Sequence, residues 1–92
     1  MSLTEDHMKE VTLTSTKEGN YINVSALNNS ESKLYRVGVA VLFYKGESIL
    51  YVDYGDSLNV SGGATDIIRF KLNDDNKDYD RFEVYLTEAY SM

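Results

Sequence analysis

Leu34-Tyr35-Arg36-Val37-Gly38-Val39-Ala40-Val41-Leu42-Phe43-Tyr44-Lys45 alternates with a period of two. Val37, Val39, Val41 and Phe43 fall on one phase, while Arg36, Gly38, Ala40, Leu42 and Tyr44 fall on the other. Large apolar groups on a single phase, three of them β-branched, fit a pleated strand and fit a helix poorly. Gly46-Glu47 follows, and then a second alternating run, Ser48-Ile49-Leu50-Tyr51-Val52-Asp53-Tyr54. Gly at the first position of a two-residue loop is the type II′ signature, because that position needs a positive φ. A plain two-residue hairpin then pairs Phe43 with Leu50, Val41 with Val52 and Val39 with Tyr54. On its other face the same hairpin sets Leu42 opposite Tyr51 and Tyr44 opposite Ile49.

Working outward, Lys9 to Lys17 reads as a first strand, with Val11 and Leu13 on one phase and Thr12 and Thr14 on the other. Glu18-Gly19-Asn20 supplies turn chemistry, with Gly19 free to take a left-handed conformation. Tyr21 to Asn28 is a second strand with Ile22, Val24 and Ala26 inward, followed by a polar loop through Ser32. Beyond the hairpin, Gly55-Asp56-Ser57 reads as a break, and Leu58-Asn59-Val60 as a short edge strand. Thr65 to Leu72 turns Ile68, Phe70 and Leu72 inward, and Arg81 to Thr87 does the same with Phe82, Val84 and Leu86. Val39, Val41, Phe43, Val52, Phe70 and Val84 are the expected heart of the core. Six or seven short strands separated by turn signals, with no long helical period, indicate an all-β, immunoglobulin-like antiparallel sandwich.

The 92 residues suit one domain, taken as residues 10–92. Residues 1–9 are polar and read as a flexible tail or an expression leader, with Ser2 and Glu5 at capping-box spacing. Fifteen acidic residues against nine basic ones give a net charge of −6, and no basic stripe is present to meet a nucleic-acid backbone. No apolar run approaches the ~20 residues of a transmembrane helix, and no export signal is visible. The chain has no cysteine, which excludes disulfides and thiolate metal sites together. Eight tyrosines against three phenylalanines and no tryptophan suit half-exposed sheet faces, because tyrosine buries a ring while its hydroxyl stays wet.

Three stretches together resemble a known family. They are Ile22-x-Val24-x-Ala26-x-Asn28-Asn29-Ser30, then Val37-x-Val39-x-Val41-x-Phe43-Tyr44, then the strand ending in Phe70. Across roughly residues 10 to 88 this resembles the FxLYD-type immunoglobulin-like domains of bacterial envelope lipoproteins. The chain departs from that pattern where Lys45 follows Tyr44, where the turn is shorter, and in having no lipobox cysteine. The resemblance implies a noncatalytic module of an extracellular or cell-envelope protein. Asp78-x-x-x-Phe82-x-Val84 also echoes the immunoglobulin strand F region, with Phe82 and Val84 standing where a tyrosine and a cysteine usually stand.

Candidate chemistry is sparse. Asp74, Asn76, Asp78 and Asp80 alternate in a way that suggests a calcium loop, but the EF-hand positions for glycine and glutamate hold Tyr79 and Tyr85. His7, the one histidine, falls in the expected tail. No serine lies in a nucleophile elbow, and Gly62-Gly63 lacks the lysine and helix of a phosphate loop. The expectation is therefore no catalysis, no metal and no cofactor. Leu42, Tyr44, Ile49 and Tyr51 form the candidate binding patch on the solvent side of the central hairpin. They are expected to contact a protein partner, an adjacent domain or a second copy in a weak homodimer. The alternative is a small carbohydrate-binding module stacking sugar on Tyr44 and Tyr51.

Overall fold

The alternation of the central stretch becomes a twelve-residue strand in the computed structural model, which describes residues 5–91. In chain order the strands are β1 (Glu5–Asp6), β2 (Val11–Glu18), β3 (Tyr21–Asn28), β4 (Leu34–Lys45), β5 (Ser48–Val60), β6 (Thr65–Lys71) and β7 (Arg81–Ser91). A single 3₁₀ turn, Met8–Glu10, joins β1 to β2. The strands form two antiparallel sheets of order β1-β7-β4-β5 and β2-β3-β6. With β2 to β7 taken as strands A, B, C, C′, E and F, the two sheets are A-B-E and C′-C-F, the pattern of an immunoglobulin-like sandwich. The segment read from sequence as a tail divides. Residues 1–4, with Ser2 of the capping-box spacing, lie outside the described residues, while Glu5 and Asp6 pair with Ser91 and Tyr90 of β7.

Ile22, Val24, Val39, Val41, Phe43, Ile68 and Phe70 form one buried cluster between the sheets. Ala26, Leu34, Val37, Val60 and Ala89 form a second. Both β-branched rows expected to face inward, on β3 and β4, do so. At ~25 cal/mol per Å² of apolar surface hidden, these rows dominate the favourable free energy of the fold. Val84 is only half-buried, because β7 has no neighbour beyond it along residues 81–88 among the described residues.

Gly19 and Gly46 sit at φ 60 and 61, each opening a two-residue turn as expected. The β4–β5 register nevertheless departs from a plain hairpin. Lys45 pairs with Ser48 and Tyr44 with Ile49, as the loop requires, but Phe43 then pairs with Tyr51 and Leu50 is left over as a β-bulge. Every partner beyond the bulge shifts by one, so Leu42 faces Val52, Val41 faces Asp53, Ala40 faces Tyr54 and Val39 faces Gly55. The cause lies in the opposite sheet. A Cβ at residue 55 would stand 2.8 Å from Ile68 Cγ2 and 3.0 Å from Phe70 Cζ. The plain register would drive the Tyr54 ring into that same space. Gly55 is therefore where the sheets approach closely, and it does not break the strand: β5 runs on to Val60. Ser57 is buried and its hydroxyl donates to Asp66 on β6, tying the sheets together. Val52, expected in the core, turns to the other face and is half-buried.

Candidate binding surface

The outer face of the four-stranded sheet is ordered in rows running from β5 through β4 to β7. They are Ile49–Tyr44–Arg81, Val52–Leu42–Glu83, Tyr54–Ala40–Tyr85, Asp56–Gly38–Glu88 and Leu58–Arg36–Tyr90. Leu42, Tyr44 and Ile49 of the expected patch are brought together here. Tyr51 is not: the bulge at Leu50 turns it inward, where it packs against the buried cluster containing Phe43. The residues that replace it are Val52 and Tyr54. Exposure of large apolar groups concentrates on this face, with Ile49 at 55%, Tyr54 at 71%, Leu58 at 53% and Tyr85 at 46%. The outer face of the other sheet carries Thr12, Thr14 and Thr16 on β2 and Arg69 and Lys71 on β6, with Ile67 the large apolar side chain exposed among them.

At the hairpin end the rows are tied by charge. The Arg81 guanidinium lies 3.9 Å over the Tyr44 ring and pairs with Glu83. The Tyr85 hydroxyl donates to Glu83, which pushes the phenol up to about 12. The same bond, helped by Arg81, holds the Glu83 carboxyl below its ordinary value. With Arg81 on one ring and Glu83 holding the other's hydroxyl, Tyr44 and Tyr85 are tethered to the sheet.

Farther along, β7 has a bulge of its own. Gly38 pairs with Glu88 and Val39 with Leu86, leaving Thr87 as the extra residue. Thr87 and Glu88 both crowd Gly38: a Cβ there would meet Thr87 Oγ1 at 2.6 Å and Glu88 Cγ at 2.8 Å. Arg36 reaches between two carboxylates, its Nη2 2.9 Å from Asp56 Oδ2 and its Nε 2.7 Å from Glu88 Oε1. The Nε contact is an ion pair by distance, but the N–H is not aimed at the oxygen and makes no hydrogen bond. Arg36, Gly38, Tyr54, Asp56, Thr87 and Glu88 line a cleft of about 270 Å³. Sequence reasoning did not bring these residues together. The one local signal was Gly38 followed by Ala40, small residues on the outer phase of a central strand, where glycine often marks a close approach.

The acidic loop does different work from the one its composition suggests. Asp80 Oδ2 accepts the Gly46 amide at 2.7 Å, and Lys45 Nζ donates to the Asp78 carbonyl at 3.1 Å, so the loop latches the β4–β5 turn. Asn76 is fully buried and accepts the Asn73 amide at 2.8 Å. No group of three or more metal-ligating side chains occurs among the described residues.

His7 stands in a clamp. Its Nε2 is 3.0 Å from Ser91 Oγ and its Nδ1 2.8 Å from Glu10 Oε1, while its backbone amide donates to Ala89. The serine–imidazole–carboxylate order is that of a nucleophilic relay. Here His7 and Ser91 are both under a tenth exposed. The arrangement fastens the start of the described chain to the end of β7.

No protein-family model matches this chain, and a search of curated proteins found no match. No helix among the described residues is long and apolar enough to cross a membrane.

Proposed function

We propose that the chain is a noncatalytic structural or interaction module whose working surface is the outer face of the four-stranded sheet. One observation carries this reading: Ile49, Tyr54, Leu58 and Tyr85 are exposed together on that face, while the opposite face is threonine-rich and charged. Scattered apolar exposure is ordinary, whereas a run of it along adjoining strands marks a contact surface. The partner is a protein surface, met as a neighbouring domain in a longer chain or as a second copy when the domain is alone. The resemblance to FxLYD-type domains supports placing the module in a bacterial cell-surface or secreted protein.

At ~25 cal/mol per Å², hiding a few hundred Å² yields several kcal/mol before the cost of association, so the isolated domain dimerises weakly. Sedimentation over a concentration series tests this. The domain is expected to show a monomer–dimer equilibrium that Ile49→Ser weakens and Ile67→Ser, on the opposite face, leaves alone. A strictly monomeric wild type at high concentration sinks the self-association reading.

The alternative, a carbohydrate-binding module, loses the two tyrosines first considered for it, since Tyr51 turns inward against the core and Tyr44 carries Arg81. It gains a different site in the cleft over Gly38.

A further inference from the structure

We propose that the cleft over Gly38 is a binding site for a neutral saccharide, one hexose unit stacking on Tyr54 while its hydroxyls bond Asp56, Glu88 and Thr87. The site adjoins the apolar rows near the hairpin and shares Tyr54 with the proposed contact face.

Two breaks in sheet regularity, the glycine at 38 and the bulge at Thr87, converge on this spot. Glycine in a central strand forgoes packing, and it is required here because Thr87 Oγ1 and Glu88 Cγ occupy the room a Cβ would take. The bulge at Thr87 is what brings two consecutive polar side chains over one residue of β4. Bulges re-aim side chains in this way beside functional sites.

The chemistry on either side of the floor is that of polyol recognition. Asp56 and Glu88 offer carboxylate oxygens that accept from hydroxyls, and Thr87 both donates and accepts. Arg36 stands between the two carboxylates, 2.9 Å from Asp56 and 2.7 Å from Glu88, as a partly exposed ion pair on each side. Two carboxylates and one guanidinium leave the cluster negative, so an anionic sugar is repelled and a neutral one is accepted.

Tyr54 supplies the apolar platform. It is 71% exposed, and among the described residues its ring meets no other ring and no cation. Tyr44 and Tyr21 are each covered by an arginine, and Tyr35 packs on Tyr90. A ring face left bare beside hydroxyl-binding groups matches the two-sided chemistry of a pyranose, apolar on its C–H face and polar at its rim. The volume of about 270 Å³ lies just under the ~300–1,000 Å³ usual for small-molecule sites, which suits one ring more than an embedded chain.

The test is a backbone-amide NMR titration with methyl glucoside, methyl mannoside and methyl galactoside, and with glucuronate as the anionic arm. At least one neutral hexoside is expected to move the Gly38, Tyr54 and Thr87 signals saturably, and glucuronate to bind at least tenfold more weakly. Tyr54→Ala and Asp56→Asn are each expected to lower affinity tenfold or more while the amide spectrum stays folded, and Ile67→Ser to leave it unchanged. The proposal is overturned if no neutral hexoside shifts those signals, if glucuronate binds as well, or if binding survives Tyr54→Ala. Ile49→Ser separates the readings, for it weakens the dimer and leaves the sugar titration intact.

Discussion

Phe43 pairs with Tyr51 across the β4–β5 ladder, one residue beyond the partner a plain two-residue loop assigns to it. That single step decides which tyrosine of β5 is structural and which faces outward. Tyr51 packs against the cluster of Phe43 and Phe70, while Tyr54 stands 71% exposed beside Ala40.

Tyr51→Ala is therefore expected to lower stability by about 2–3 kcal/mol, less than a fully buried aromatic because the ring is only partly covered. Tyr54→Ala is expected to change it by no more than about 0.5 kcal/mol, as for other surface substitutions. Urea denaturation of the two variants checks the register directly, and equal losses at both sites would refute the bulge.

Gly38→Ala adds a methyl where Thr87 Oγ1 lies 2.6 Å away. Overpacking of this kind is expected to destabilise by about 1–2 kcal/mol, despite alanine's smaller entropy loss. Adding Thr87→Ala should recover part of the loss, since the two residues share one contact. Additive effects in thermal melts of the single and double variants would show that they do not touch.

The Tyr85–Glu83 bond makes a pH prediction with a definite sign. Tyr85 is raised to about 12 from 10.0, so its contribution is complete below about 10 and is lost as pH rises through about 12. Glu83 is lowered from 4.5, so its contribution is present above 4.5 and is lost as pH falls through the folded value. Both groups are exposed and the energetic effect is small, so tyrosinate absorbance is the better readout than melting. One tyrosine is expected to titrate near 12 in the wild type and to return toward 10 in Glu83→Gln.

His7→Ala removes the partner of the buried Ser91 hydroxyl and is expected to destabilise by about 1–2 kcal/mol. Exchange of the residue-7 amide, whose N–H donates to the Ala89 carbonyl, should accelerate, while Val39 and Val41 in the centre of β4 keep their protection. Unchanged exchange at that amide would show that the clamp holds nothing.

What was readable in the sequence follows the range of the forces involved. The inward rows of β3 and β4, and the turns at Gly19 and Gly46, are set by neighbours within a few residues, and alternation and glycine disclose them. The bulge at Leu50 is set by Ile68 and Phe70 on the opposing sheet, whose demand for a glycine opposite Val39 no local pattern expresses. The cleft was missed for the same reason: Arg36, Asp56 and Glu88 are 20 to 52 residues apart in the chain and meet only through the β4 ladders. His7 looked like one polar residue among many, because the serine that holds it lies 84 positions away. Leu42, Tyr44 and Ile49 lie on the hairpin-end rows of the outer face as read, since Tyr44 and Ile49 pair before the bulge intervenes.

The pairing of Glu5 with Ser91 has a mechanical meaning. Wherever neighbouring segments attach, tension enters the domain at one strand end and leaves at the adjacent end of its antiparallel partner. Load applied there pulls β1 sideways off β7, breaking hydrogen bonds one after another instead of shearing them together. The two-residue strand and the His7 clamp behind it then act as a weak link that opens first, while the β4 ladders on either side stay unloaded until it has gone.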